Sequence, residues 1–91
     1  MTNRIQQLAT AFPTLTGAAG VNPWDPKKLD AWACGPAPGH GALFAARFIL
    51  AMWNNDIEWE CGRFDVVEAL SVWDEAHSSV FLAWAVNPWW E

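Results

Sequence analysis

Ala42-Leu-Phe-Ala-Ala-Arg-Phe-Ile-Leu-Ala-Met-Trp53 is twelve residues long and carries one charge, Arg47. At helical spacing it has no polar face, and a helix that is apolar all round must be surrounded by other elements. It falls short of the roughly 18–20 apolar residues that a membrane-spanning helix needs. The stretch therefore predicts the central helix of a globular fold. Asn54-Asn55 marks its exit.

Toward the N-terminus, Gly35-Pro-Ala-Pro-Gly-His-Gly41 predicts a stiff, irregular loop. Before it, Asp25 is a natural N-cap and Pro26 suits the first helical position, where its missing N–H costs nothing. Trp24 and Leu29 occupy the two positions of a hydrophobic staple, so a helix runs from there to about Ala33. Residues 13–23 are expected to form a connecting loop. Ile5, Leu8, Ala9 and Phe12 recur at helical spacing over residues 4–12, with Asn3 and Gln6 placed as a capping pair and Pro13 as the stop.

On the C-terminal side, Asp56, Glu58 and Glu60 alternate strictly with Ile57, Trp59 and Cys61. A period of two predicts a short extended segment over residues 56–61, either draped over helices or paired with something outside the chain. Asp65 with Glu68 repeats the capping logic ahead of a short helix containing Val66, Val67 and Leu70. Asp74 caps a further helix over about 75–86, and Asn87-Pro88 ends it ahead of the tail Trp89-Trp90-Glu91. The expectation is all-α: one domain over residues 1–91, a compact bundle of about five short helices with one short extended segment.

Eight Trp and five Phe among 91 residues give this small chain the means to close a core, since each buried aromatic removes roughly 150–250 Å² from water. The opening Met-Thr-Asn-Arg-Ile-Gln-Gln has no apolar run of the kind a secretory signal carries. A cytoplasmic protein with reduced Cys34 and Cys61 is expected. Two strings recur. Val-Asn-Pro-Trp stands at 21–24 and 86–89, in unlike contexts; Trp-Asp at 24–25 and 73–74 precedes helices that each end in Ala-Trp-Ala. Unequal spacings make the second echo a reuse of one capping device as readily as a duplication.

Charge is unevenly spread. Residues 1–55 sum to +2, from four cations against Asp25 and Asp30. Residues 56–91 sum to −7, from Arg63 against eight carboxylates, which leaves the chain at −5. An acidic surface repels phosphate, so direct nucleic-acid binding is disfavoured and a basic partner is favoured.

The indoles divide by location. Trp32, Trp53, Trp73 and Trp84 fall on helix faces and are expected in the core. Trp24, Trp59, Trp89 and Trp90 fall in loops, the extended segment or the tail, and are expected to contribute an exposed patch of the kind that anchors protein contacts. Asp56, Glu58 and Glu60 are carboxylates without an evident structural task and complete the predicted partner-binding set. Arg47 must reach solvent or pair with a carboxylate, with Asp65, Glu68 and Asp30 as the choices. His77 shares a helix face with Phe81 and Trp84 and is expected to be hydrogen-bonded locally; His40 is expected to be exposed or to cap a helix. Cys34, His40, Cys61 and His77 are spaced as C-x5-H and C-x15-H, unlike the close ligand pairs of structural zinc sites, and two buried thiols are expected instead. Phosphate-binding glycine loops, nucleophile elbows and zinc-protease motifs do not occur.

These features favour a non-catalytic protein–protein interaction module without cofactor or metal, acting on another protein or on itself. The alternative is a small acidic inhibitor or nucleic-acid mimic seated in a partner's basic groove, and more distantly a metal protein or enzyme using His77.

Overall fold

The central helix begins at His40, two residues before its expected start, because Gly39 adopts φ +90° and turns the chain directly into it. In the computed structural model, which describes residues 4–89, the helices are α1 (Arg4–Ala11), α2 (Pro26–Cys34), α3 (His40–Trp53), α4 (Val66–Val72) and α5 (Glu75–Val86). The fold is all-α, and no strand occurs among the described residues. Helix α3 packs against α1, α2, α4 and a 3-10 turn at Pro13–Leu15. Along it Ala42, Phe44, Ala45, Ala46, Phe48, Ile49 and Leu50 are all buried. The alanines let neighbouring helices approach, and the larger side chains fill the spaces between them.

Three aspartates set three helix starts. Asp25 accepts from the backbone N–H of Lys27 and Lys28 at 3.1 and 3.3 Å. Asp65 accepts from Val67 and Glu68 at 2.9 and 3.1 Å, and Asp74 accepts from His77 at 2.9 Å. Each satisfies donors that the first helical turn leaves unpaired. The proposed cap Asn3 lies outside the described residues.

The connection over residues 13–23 is more ordered than a plain loop. Backbone N–H groups of Phe12, Leu15, Ala18 and Val21 donate in turn to Ala9, Phe12, Leu15 and Ala18, over 3.0–3.3 Å. Residues three apart eclipse one another in such turns, and all five of these side chains are buried. Gly20 closes the staircase at φ +86°, its carbonyl accepting from the Asp25 N–H at 2.7 Å.

Aromatic rings hold the C-terminal helices to α3. Phe48 meets Phe12, Phe64, Phe81 and Trp84 at centroid separations of 5.0–5.9 Å. Trp73 packs on Phe12, Phe64 and Phe81, and its indole N–H donates to the Gly41 carbonyl at 3.0 Å.

Residues 56–61 drape over the helices as turns and coil. Trp59 and Cys61 face inward, but Ile57 is 43% exposed, so the dry side of the alternation is kept at two of its three positions. Asp30 and Arg47 account for the path. The buried Asp30 carboxylate accepts from the Glu60 N–H at 3.1 Å and the Cys61 N–H at 2.9 Å. From the other side, Arg47 Nε donates to the Cys61 carbonyl at 2.6 Å. Gly62, at φ +98°, lets the backbone pass against the guanidinium.

Candidate functional site

The outer sides of α4 and α5 are where apolar surface remains. Val66, Val67 and Leu70 lie at i, i+1 and i+4 on α4 and are all exposed, Val67 to 75%. Among the described residues of α4, Ala69 alone is buried. Helix α5 is apolar for most of its length, yet His77 is its one buried residue among those described; Leu82 and Val86 are 53% and 86% exposed. Between α1 and α5 runs an open groove of about 480 Å³, lined mainly by Leu8, Ala11, Val80, Ala83, Trp84 and Trp89. At one end the Arg4 guanidinium sits 4.1 Å from the Trp89 ring centre, and Trp84 Nε1 donates to the Trp89 carbonyl at 2.8 Å.

The indoles do not divide as their sequence positions suggest. Trp73 is buried, while Trp24, Trp32, Trp53, Trp59, Trp84 and Trp89 are all half-buried against the core. Trp24 packs on Trp53 at 5.5 Å, with its Nε1 buried and unpartnered. Trp59 donates to the Asn54 carbonyl at 3.1 Å. Trp90 lies outside the described residues. Of the predicted indoles, Trp89 lines the groove, and the most exposed apolar side chains are aliphatic. Val67, Leu82 and Val86 escape notice in the sequence because aliphatics at helical spacing read as core; the available signal is that Val80–Val86 of α5 is apolar on every side.

Asp56, Glu58 and Glu60 are exposed, and their carboxylates make no ion pair or hydrogen bond among the described residues. The segment meets α4 at its Cys61 end, where Arg47 Nε holds the Cys61 carbonyl and Arg47 Nη1 is 4.0 Å from Glu68 Oε1. Arg47 therefore leans chiefly on a carbonyl, with Glu68 at the edge of ion-pair range and the Phe44 ring centre at 5.3 Å. Asp30, one of the choices for that role, serves the Glu60 and Cys61 amides instead.

His77 joins two ends of the chain. Its Nδ1 is 2.7 Å from Asp74 Oδ1 and its Nε2 is 2.8 Å from Thr14 Oγ1. That order matches a nucleophile–base–carboxylate relay, but each contact has a structural explanation. Asp74 caps α5, Thr14 fixes the 3-10 turn to it, and the ring is 6% exposed between Phe12 and Trp73. Donation from the His77 backbone N–H, and then from its ring, holds the Asp74 carboxyl below its ordinary value.

Burial, followed by hydrogen bonding of the thiol to the Asp30 carboxylate, pushes Cys61 up to about 12. Desolvation followed by the Asp30 charge also raises Cys34, an exposed residue where a buried thiol was expected. Neither cysteine has the lowered value of an activated nucleophile. His40 is exposed at the start of α3, stacked 6.0 Å from Phe44. Among the described residues, no three His, Cys, Asp or Glu side chains gather as a metal ion requires, and no helix is long and apolar enough to cross a membrane.

Compared with known proteins, the chain matches no family model, no curated protein and no solved structure. Its class is set by its own architecture: a small all-α fold with five α-helices among the described residues, α3 at the centre of the other four.

Proposed function

We propose that this domain is a non-catalytic protein–protein interaction module whose working surface is the apolar outer side of α4 and α5, with the Trp84–Trp89 groove beside it. The observation that carries the reading is the exposure of Val67, Leu82 and Val86 at 75%, 53% and 86%. Large apolar side chains exposed on two consecutive helices are more than the scattered few that a surface ordinarily carries. The fold itself is not short of core, since Phe12, Phe48, Leu15, Leu29, Ile49 and Leu50 are fully buried. The test is affinity capture from the native cell with the wild type and with a Val67→Glu/Val86→Glu variant of unchanged circular dichroism. Proteins retained by the wild type and lost from the variant support the reading; identical capture by both removes it.

A second reading, an acidic inhibitor or nucleic-acid mimic, is favoured by the unpaired Asp56, Glu58 and Glu60 side chains. It requires partner binding that weakens steeply with salt. Glu58→Lys/Glu60→Lys with partner binding intact contradicts it.

A further inference from the structure

We propose that the partner presents a basic amphipathic helix, which lays its apolar stripe on Val66, Val67 and Leu70 and its Lys/Arg flanks against Asp65, Glu68 and Glu60. The inference rests on the interaction reading above and names the chemistry of the partner. Two features meet at α4. The first is the exposed aliphatic stripe, on a helix about 10 Å long, which two turns of a partner helix would span with residues at i, i+3 and i+4.

The second is an excess of negative charge on the segments that include and precede that stripe. Residues 64–89 contain Asp65, Glu68, Asp74 and Glu75 and no Lys or Arg. Arg47 reaches both Glu68 and the Cys61 carbonyl, which brings Glu60, one residue earlier in the chain, toward α4. Against the seven carboxylates of 56–75 stand two cations, the exposed Arg63 and Arg47, whose guanidinium keeps its charge but is only 20% exposed beside the Cys61 carbonyl.

That rim selects the occupant. A second copy of this chain would set carboxylate against carboxylate, with −5 on each molecule. Nucleic acid and anionic membranes carry the same sign and are repelled for the same reason. A basic helix meets both requirements, since its apolar side chains cover the valines and its long cationic stems lie over the rim. The groove beside α5 lacks this selectivity: residues 76–89 carry no Asp, Glu, Lys or Arg, and Arg4 stands at its end.

The probe is a synthetic 18-residue amphipathic helix of leucine and lysine, compared with a peptide in which every lysine is replaced by glutamate, by calorimetry at low and moderate salt. The lysine peptide is expected to bind, and to weaken at least about fivefold as salt rises. Val67→Ser/Leu70→Ser is expected to weaken it at least about tenfold, and Glu60→Gln/Glu68→Gln at least about threefold. Equal binding of the glutamate peptide, no binding of the lysine peptide, or binding indifferent to Val67→Ser/Leu70→Ser overturns the proposal. So does a wild-type dimer in sedimentation that the serine variant disperses, which would assign the face to a second copy. The capture comparison with Val67→Glu/Val86→Glu decides the broader reading separately: loss of a captured partner there, with no lysine-peptide binding, keeps the surface and discards the basic helix.

Discussion

Replacing Asp30 by alanine should undo the path of residues 56–61 and loosen the whole domain. The carboxylate is buried and takes two backbone N–H groups, from Glu60 and Cys61, at 3.1 and 2.9 Å. Hydrogen bonds to a charged acceptor contribute about 1.5–3 kcal/mol each, and the Cys61 amide would be left buried without a partner. The Glu60 amide is nearer solvent, so the expected total is about 3 kcal/mol. That is a large share of the roughly 5–13 kcal/mol available to a domain of this size. Thermal unfolding should fall by at least about 12 °C, taking about 4 °C per kcal/mol. Asp30→Asn keeps an acceptor but turns an N–H toward one of the two donors, and is expected to lie between the wild type and alanine.

Thiol chemistry supplies a local reading of the same change. With its thiol at about 12, buried Cys61 is almost wholly protonated near pH 8, with about one molecule in ten thousand as thiolate. The wild type should therefore show one thiol reacting readily with a disulfide reagent, the exposed Cys34, and one reacting only after unfolding. Asp30→Ala should show two. A variant within about 1 kcal/mol of wild type, with Cys61 still protected, would refute the assignment of Asp30 as the clasp.

Three further outcomes follow from the same geometry. Gly20→Ala should cost about 3 kcal/mol in denaturant unfolding, because its φ is +86° and an added Cβ would meet the Asp25 carbonyl and the Leu29 amide; Gly17→Ala, with open space around it, should be near neutral. Asp74 is held below its ordinary value by the His77 donors, so its contribution is present above the unfolded value of 3.8 and is lost as pH falls through the lower folded value. Asp74→Asn should accordingly flatten the acid limb of stability against pH, and an unchanged limb would argue against the cap. Leu82→Gln/Val86→Gln should leave the unfolding midpoint within the scatter of surface substitutions, about 0.5 kcal/mol; a loss several times larger would place these side chains in the core.

The helices were legible because their signals are local. Asp25, Asp65 and Asp74 each cap the helix they precede, and Arg47 alone on an apolar run marked α3 as central. The staircase from Ala9 to Val21 was missed because it repeats every three residues, while the periods sought were 3.6 and two. Its mark in the sequence is plain once that period is tried: Ala9, Phe12, Leu15, Ala18 and Val21 are all apolar. Asp30 was a harder case, since a lone aspartate in a helix carries no sign that its partners lie thirty residues onward. The candidate surface was half legible. Acidic residues at 56, 58 and 60 stand out by alternation, but exposure of an aliphatic depends on what fails to pack over it, and no residue spacing records that.

The most direct test of the proposed surface is a methyl NMR titration of the full chain with the leucine–lysine helix. The account predicts the largest shifts at Val66, Val67 and Leu70, with amide shifts at Glu60 and Glu68 and little change at Leu8, Val80 or Leu82. Shifts centred on the α1–α5 groove, or confined to the acidic backbone with the α4 methyls unmoved, would contradict it.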